Sequence, residues 1–328
     1  MAITNIYKGD VGRSDIQKIY KGTTLLYEKV LPPTTALFYG GYSPSTIIKA
    51  DLDNLSTLNT SVSYVDGEDL YGIYYIASIA VDDTHIYAGG NKNGARTVRK
   101  YLKSDLSYIG ESPDYGGYIN SIVVDDTYIY VGGSTTNRVR KYLKSNLSYV
   151  GQAPSYGGNI RTIAIDDTHI YVGGETTQKV RKYLKSNLSY IGESPDYGGF
   201  IGTIAVDDAY IYAGGWTTNR VRKYSKSDLS YVSQSSDYGY SINSIAVDDT
   251  YVYAGDHSRT VRKYSKSNLS YVESLDYGDR VWSIAIDDTH VYVGGRTKNT
   301  VRKYLKSNLS YVGETPSYGN IIMSVVIG

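Results

Sequence analysis

The chain has 328 residues, with 34 Lys and Arg against 33 Asp and Glu, and no cysteine. The balanced charge argues against nucleic acid as a partner, and the lack of cysteine excludes disulfides, thiolate zinc sites and a cysteine nucleophile. No basic segment followed by an apolar run opens the chain, and no apolar stretch is long enough to cross a bilayer. We therefore expect a soluble protein with no signal peptide and no membrane insertion.

Residues 1–31 differ from the rest of the sequence. The run IYKG occurs at 6–9 and returns at 19–22, and LLY follows at 25–27. These β-forming runs predict two or three short strands, followed by a linker at 32–33, where two prolines stand. So short a segment buries little surface alone. We expect it to attach the remaining domain, residues 32–328, to something larger.

Beyond the linker, one phrase returns at intervals of 39 to 43 residues. Its marker is the first Asp of an Asp-Asp pair, found at Asp82, Asp125, Asp166, Asp207, Asp248 and Asp287. A period near 40 residues with about four short strands per repeat is typical of the blades of a β-propeller. One blade cannot bury both faces of its own sheet, so the blades must stack around an axis.

Residues 117–157 illustrate the four strands of a blade, here lettered a to d. Strand a runs over 118–125 and strand b over 128–131, strand c covers 138–144, and strand d starts at 148. A Gly pair, or Gly-Asp in one case, ends strand b. Such pairs begin at Gly40, Gly89, Gly132, Gly173, Gly214, Gly255 and Gly294. The sequence therefore predicts seven blades.

The two ends of this repeat region complement each other. Residues 36–41 begin the first blade at strand b, with no strand a before them, and residues 322–328 read as a strand a with nothing after it. The C-terminal strand should therefore complete the first blade and close the ring, which removes exposed sheet edges. The predicted fold is an all-β, seven-bladed propeller of four-stranded antiparallel blades.

The blades resemble seven-bladed propellers of the YVTN and NHL kind, in which a D-x-x-x-I-Y-V-x-G hairpin precedes a V-x-K-Y strand. Here the hairpin is Asp125 with 129–132, and the strand is 139–142. The double glycine also looks kelch-like. Residues 19–27 are similar to short modules of phage tail and minor structural proteins, in which an I-Y-x-G run is followed by Leu and Tyr. That likeness implies association with a virion, with residues 1–31 contacting other tail proteins.

No catalytic or metal constellation is apparent. The Asp-Asp pairs recur at one hairpin in six blades, and turn chemistry explains them better than six copies of an active site. We expect Arg140 to pair with Asp125 or Asp126. Three of the four histidines, His85, His169 and His290, share a slot that tyrosine fills in other blades, so it is a packing slot. We expect no enzyme, cofactor or metal.

Differences between the blades indicate where a ligand could bind. The Asp-Asp and Lys-Ser-Asn/Asp-Leu turns barely change, and both should lie at one end of the ring because the strands alternate in direction. The loops of the opposite end vary. After the Gly pair stand Asn91, Ser134, Glu175, Trp216, His257 and Arg296; after the Tyr-Gly turn stand Tyr118, Asn159, Phe200, Tyr240, Arg280 and Asn320. Two positions after this second set stand Asn120, Arg161, Gly202, Ser241 or Asn243, Trp282, and Ile322 or Met323.

Aromatic rings beside polar groups suit sugars, since a pyranose stacks on a ring while its hydroxyls form hydrogen bonds. For stacking we predict Trp216, Trp282, Phe200, Tyr118 and Tyr240. For hydrogen bonding we predict Arg161, Arg280, Asn159 and His257. The resulting hypothesis is a non-enzymatic, multivalent, lectin-like adhesin or phage tail-associated receptor-binding protein, with a surface glycan or glycoprotein as partner.

Three other interpretations stay open at this point. Loops exposed to solvent can vary without any function. A scaffold for protein–protein interaction could use the same face without binding sugar. An enzyme would need a unique acid, base or metal cluster near the axis, because the fold itself is compatible with many functions.

Overall fold

A computed structural model describes residues 35–64, 75–91, 96–296 and 299–328 in full, and the strand backbones of 5–8, 16–21 and 24–30. The described residues form seven four-stranded antiparallel sheets arranged as a ring, together with a separate three-stranded sheet. This part of the chain contains no helix that could span a membrane. The predicted all-β, seven-bladed propeller is confirmed.

The three-stranded sheet belongs to the N-terminal segment. It consists of β1 (Asn5–Lys8), β2 (Ile16–Lys21) and β3 (Thr24–Val30), with β2 in the middle. Both pairings are antiparallel, and Ile19 is opposite Ile6 on one side and Tyr27 on the other. The linker expected at 32–33 and most of the long segment after the first blade, residues 65–74, lie outside the described residues.

The first blade is built from both ends of the repeat region: β4 (Leu37–Gly41), β5 (Ile48–Ala50), β6 (Thr57–Thr60) and β31 (Ile322–Ile327). The other six blades follow in chain order. The second blade is β7 (Tyr75–Val81), β8 (His85–Asn91), β9 (Arg99–Leu102) and β10 (Tyr108–Glu111); the third is β11 (Ile119–Val124), β12 (Tyr128–Gly133), β13 (Arg140–Leu143) and β14 (Tyr149–Gln152); and the fourth is β15 (Ile160–Ile165), β16 (His169–Gly174), β17 (Arg181–Leu184) and β18 (Tyr190–Glu193). The fifth is β19 (Ile201–Val206), β20 (Tyr210–Gly215), β21 (Arg222–Ser225) and β22 (Tyr231–Gln234); the sixth is β23 (Ile242–Val247), β24 (Tyr251–Asp256), β25 (Thr260–Ser265) and β26 (Tyr271–Asp276); and the seventh is β27 (Val281–Ile286), β28 (His290–Gly295), β29 (Arg302–Leu305) and β30 (Tyr311–Glu314). Within each blade these are strands a to d, and β31 is strand a of the first.

The C-terminal strand closes the ring as predicted. Val325 of β31 is opposite Tyr39 of β4 in an antiparallel ladder. Beyond the ladder, Ala36 N donates to Gly328 O over 2.8 Å. The edge that β4 would otherwise expose is therefore paired, which protects it from pairing with other chains.

A hydroxyl on each strand a joins that strand to the next blade. Ile163 N donates to Ser121 Oγ over 3.0 Å, so a side chain replaces the backbone acceptor that a continuous sheet would supply. The same bond joins Ile79 to Ser324, Ile122 to Ser78, Ile204 to Thr162, Ile245 to Thr203, Ile284 to Ser244, and Val325 to Ser283. These seven bonds form a closed circle around the axis.

Tyrosines fill the space between blades, which explains much of the tyrosine content of 38 residues. Each core cluster lies between two adjacent blades. In one of them, Tyr130 of the third blade and Tyr156 of the segment that leads to the fourth blade pack on Ile163 and Ile170 of the fourth blade. The hydroxyl of Tyr156 donates to Lys179 O of the following blade over 2.9 Å, so its polar tip is satisfied. The equivalent bonds are made by Tyr64, Tyr115, Tyr197, Tyr238, Tyr277 and Tyr318.

Ion pairs link the blades at the end formed by the Asp-Asp turns, which we call the constant end. Asp125 accepts hydrogen bonds from Tyr130 and two turn N–H groups of its own blade, and pairs with Lys185 of the next blade. The pairing of Arg140 with Asp125 or Asp126 expected from the sequence is wrong, because the Arg140 guanidinium donates to Asp114 O instead. Equivalent pairs are Asp82–Lys144, Asp166–Lys226, Asp207–Lys266 and Asp248–Lys306.

Candidate functional site

Each strand a carries one extra residue at the end opposite the Asp-Asp turns. In the third blade Ile119 is opposite Gly133 and Ser121 is opposite Gly132, which leaves Asn120 unpaired. Such a β-bulge redirects the side chain of the extra residue. The seven bulge residues are Ala77, Asn120, Arg161, Gly202, Asn243, Trp282 and Met323.

All seven bulge residues line one cavity of about 190 Å³, together with Tyr75 and Trp216. Only the axis can be reached from every blade, so this cavity is the mouth of the central channel at the end where the loops vary; we call it the axial cavity. The chain has two tryptophans, and both line it. Its lining contains one guanidinium, two amides and no carboxylate.

The backbone beside each bulge fixes which loop residues stand at the cavity mouth. The residue before strand a accepts a hydrogen bond from the residue after the Gly pair, as Phe200 O does from Trp216 N over 2.9 Å. In the sixth blade the equivalent bond runs from His257 N to Ser241 O, so Ser241 holds that position. Tyr240 comes one residue earlier and is 56% exposed.

On one side of the axial cavity, a carboxylate holds a guanidinium in place. Arg161 Nε donates to Glu175 Oε1 over 2.6 Å, and Asn159 Nδ2 donates to Glu175 Oε2 over 2.9 Å. The Arg161 guanidinium lies 5.6 Å from the ring centre of Trp216, which Phe200 meets edge-on at 5.8 Å. Four of the predicted ligand residues are therefore in one contiguous cluster.

On the other side, an amide and an imidazole surround the second tryptophan. Asn243 Nδ2 donates to Val281 O over 2.9 Å and lies 3.2 Å from His257 Nδ1. The His257 ring meets Trp282 edge-on at 5.5 Å. Burial, followed by the nearby Arg280 charge, lowers the pKa of His257, which favours its neutral form. The Trp282 Nε1 donor is buried and has no acceptor among the described residues.

The remaining predicted residues do not line the cavity. Tyr118 is exposed and has the Arg96 guanidinium 4.8 Å from its ring centre. Arg280 and Tyr240 are likewise absent from the cavity wall. The sequence prediction missed Tyr75, which lines the cavity and stacks on Tyr42 with ring centres 4.3 Å apart. Burial and the neighbouring Tyr75 raise the pKa of Tyr42 to about 12.

Larger cavities occur at the constant end, in the grooves between adjacent blades. Three of them have volumes of about 800, 780 and 480 Å³. Part of their charge is already paired, as Asp125 is with Lys185, and the Lys141 ammonium lies 3.7 Å from the ring centre of Tyr128. Because similar residues recur in these three grooves and several of them bond each other, we assign the grooves to blade packing. The described residues include no group of three His, Asp or Glu placed to hold a metal.

Comparison with known proteins supports the architecture. No family model and no curated protein matches the sequence. Among solved structures, the chain is similar to the crystal structure of a computationally designed protein, Ika8, with a TM-score of 0.68 and 10% identity over 89% of this chain and 90% of that one. At this identity the likeness concerns the fold alone. The YVTN, NHL, kelch and phage-tail resemblances stay predictions from the sequence.

Proposed function

We propose that this protein is a non-enzymatic glycan-binding protein whose ligand enters the axial cavity. The observation that carries the proposal is that both tryptophans of the chain line this one cavity, among bulge residues that differ from blade to blade. Strands that are otherwise nearly identical thus present six residue types, Ala, Asn, Arg, Gly, Trp and Met, at a single point. Variation among residues that meet in a cavity is a pattern that ligand recognition accounts for.

The chemistry of the wall suits a sugar. Trp216 and Trp282 offer ring faces and edges, and the amides of Asn120 and Asn243 supply polar groups held by backbone carbonyls. Rigid polar groups beside aromatic rings give a sugar both stacking and oriented hydrogen bonds. Sites for drug-sized ligands occupy roughly 300–1,000 Å³, so a cavity smaller than these accommodates about one sugar unit.

A single central cavity changes the expected valency. The sequence suggested several weak pockets, one for each of several blades, whereas the predicted residues Trp216, Trp282 and Arg161 line the same cavity. We therefore propose one glycan site per chain. Avidity on a surface would then require several copies of the protein to be held together.

We propose that residues 1–31 attach the propeller to a larger assembly. Strands β1–β3 pair only with one another in a sheet of their own, and a three-stranded sheet this small gains stability by packing on a partner. With the resemblance of residues 19–27 to phage tail modules, this supports a role in fixing the propeller to a tail or other virion protein. The protein would then act as a receptor-binding component.

The test is a glycan array probed with the wild-type protein and with a Trp216→Ala/Trp282→Ala double variant. We expect the wild type to bind a restricted set of glycans and the variant to lose them. The matched control, Tyr190→Ala/Tyr231→Ala, removes two exposed rings from the outer strands β18 and β22 and should bind like the wild type. If the folded wild type binds no glycan, the proposal fails.

The alternative is a protein–protein scaffold that uses the same face. It is favoured by the exposed rings around the mouth, with Tyr118, Phe200 and Tyr240 at 42%, 39% and 56% exposure. Aromatic side chains are enriched in protein interfaces. A scaffold would bind no free sugar, and its partner would be lost on substitution of these three rings rather than of the two tryptophans.

A further inference from the structure

Two arginines stand side by side at the mouth of the axial cavity. Arg296 N donates to Arg280 O over 3.1 Å, so the two residues are direct neighbours across β27 and β28. Like charges opposite each other in a ladder are unfavourable. Neither guanidinium forms an ion pair within the described part of the chain.

The symmetry of the ring shows where these side chains stand relative to the cavity. Arg280 holds the position before strand a that Tyr75 holds in the second blade, and Arg296 holds the position after the Gly pair that Trp216 holds in the fifth. Tyr75 and Trp216 both line the axial cavity. The arginine pair therefore occupies two positions from which the cavity can be reached.

Two carboxylates, those of Asp256 and Asp279, lie near this positive charge and oppose its effect on the pKa of His257. Both Arg280 and Arg296 lower the pKa of His257, after burial as the main cause, so their charges act at the imidazole that meets Trp282 edge-on. Of the nearby carboxylates, Asp256 is buried and accepts hydrogen bonds from its own loop, and Asp279 accepts one from Arg280 N. Neither carboxylate is bonded to a guanidinium.

A second, independent feature also calls for an acceptor. Trp282 Nε1 is a buried donor with no partner among the described residues, in a wall that has no carboxylate. A buried donor left without an acceptor costs free energy; because water cannot reach Nε1, a ligand oxygen would recover that cost only by binding with the indole ring turned toward the cavity. A carboxylate has acceptor oxygens only, and it pairs with guanidinium groups through two parallel hydrogen bonds.

We propose that the glycan is acidic: its carboxylate is bound by Arg280 and Arg296 while the sugar ring enters the axial cavity beside Trp282. This inference rests on the proposed glycan-binding function and adds the chemical class of the sugar. It assigns the seventh blade, which carries Arg280, Arg296 and Trp282, to charge recognition. The fourth and fifth blades, where Glu175 already neutralises Arg161, would contact the neutral part of the ligand.

The test is titration calorimetry with uronic-acid and sialic-acid oligosaccharides, each beside the neutral oligosaccharide made from it by carboxyl reduction. We expect at least one acidic member to bind at least tenfold more tightly than its reduced form, with an affinity that falls as salt is raised. The Arg280→Gln/Arg296→Gln variant should lose that tenfold preference and keep the weaker affinity for the reduced form.

A double variant with the same change of charge serves as the control. Arg138 and Arg220 also lie in loops after strand b, but their guanidinium groups donate outward to Ala153 O and Ser235 O. Arg138→Gln/Arg220→Gln should keep the preference. Equal affinity for acidic and reduced forms would overturn the inference and leave glycan binding intact. Binding of sulfated but not of carboxylated sugars would overturn the carboxylate assignment, and no binding of any sugar would overturn both proposals.

Discussion

The ammonium of Lys185 lies 2.8 Å from the carboxylate of Asp125, which belongs to the preceding blade. Both side chains are mostly buried, at 14% and 18% exposure, and Lys185 Nζ also donates to Asp166 O. One ammonium therefore joins the turns of two blades. Five of the seven junctions between blades have this pair, which makes the constant end a belt of ion pairs.

Loss of one such lysine should weaken the ring measurably. We expect Lys185→Met to destabilise the protein by about 1.5–3 kcal/mol, because hydrogen bonds to a charged group are lost and Asp125 stays partly buried. Lys179→Met is the control, since its pair with Glu193 is more exposed and should contribute less to stability. Urea unfolding of both variants would check this; equal midpoints would contradict it.

The free energy of unfolding should fall in acid, because the carboxylates of the Asp-Asp turns have lowered pKa values in the folded protein. Burial alone would raise the pKa of Asp82, but the Lys144 ammonium, the N–H groups of Thr84 and His85 and the Tyr87 hydroxyl outweigh it, so the pKa is well below normal. The net shift is also downward at Asp125, Asp166, Asp207, Asp248 and Asp287. A carboxylate with a depressed folded pKa stabilises the fold above its unfolded pKa of about 3.9, and that contribution is lost as pH falls through the folded value.

We therefore expect the melting temperature to change little between pH 7 and about 5 on account of these groups, and to drop steeply below about pH 4. Thermal melts from pH 7 to 2.5 measure this. Asp82→Asn should lower the melting temperature at pH 7 and reduce the size of the acid-induced drop. A wild-type melting temperature at pH 3 equal to that at pH 7 would show that the belt contributes nothing.

The first blade breaks the belt, and one substitution should repair it. Leu52 stands where the other blades have the pairing lysine, and its carbonyl oxygen accepts from Lys303 Nζ. Asp287 is bonded by Tyr292 and its own turn instead. Leu52→Lys should stabilise the protein by about 1 kcal/mol, because the lysine stem can retain the packing while its ammonium reaches Asp287.

The control for this repair is Leu52→Met, which keeps an apolar side chain without the charge. The lysine variant should melt higher than the methionine variant at pH 7, and the difference should shrink as pH falls below the unfolded pKa of about 3.9 toward the lowered folded pKa of Asp287. A lysine variant that melts below the methionine variant at pH 7 would mean that apolar packing at position 52 stabilises the protein more than an ion pair with Asp287 does.

The Gly pair is required by the bulge, and a pair of alanine variants tests this. A Cβ on Gly133 would lie 1.8 Å from Tyr118 O, so Gly133→Ala must displace the bulge and should cost about 1–3 kcal/mol. On Gly151 of the same blade, the nearest atom to a Cβ is Leu188 Cδ1 at 3.7 Å. Gly151→Ala should be neutral or slightly stabilising. Similar unfolding midpoints for the two variants would refute the steric argument.

Filling the axial cavity should block binding without unfolding the ring. Gly202 lines the cavity, and a Cβ there would meet nothing closer than 3.6 Å. Gly202→Leu should therefore reduce glycan affinity at least tenfold, about 1.4 kcal/mol, with a change in stability within about 0.5 kcal/mol. Unchanged affinity in the folded variant would place the ligand outside the cavity.

The architecture was predictable because it depends on features that repeat along the chain. The Gly pairs mark strand b, the period gives the blades, and the incomplete ends at 36–41 and 322–328 predict closure. Contacts between blades were harder, since Lys185 reaches Asp125 across 60 positions of sequence (185 minus 125) and a blade junction. The sequence alone offered Arg140, which is nearer along the chain but on the outer side.

The site was predicted in part. Trp216, Trp282 and Arg161 were chosen as variable residues, but their convergence on the axis depends on the bulge. A signal was present: Ile119 and Ile122 are both buried, and their spacing of three departs from strict alternation. Counting from the Tyr-Gly turn puts Tyr240 in the place of Tyr118. The sixth blade, however, has a single glycine in this turn, so Ser241 is the residue equivalent to Tyr118.

The bulge separates two jobs within each strand a. Its neighbours face the core and form the hydroxyl circle, whereas the bulge residue lines the axial cavity. A codon change there alters the cavity wall and leaves the hydroxyl circle in place, while at Asn120 and Asn243 it also removes one hydrogen bond to the next blade. Recombination between the near-identical repeats would therefore exchange residues of the cavity wall while the propeller fold stays the same.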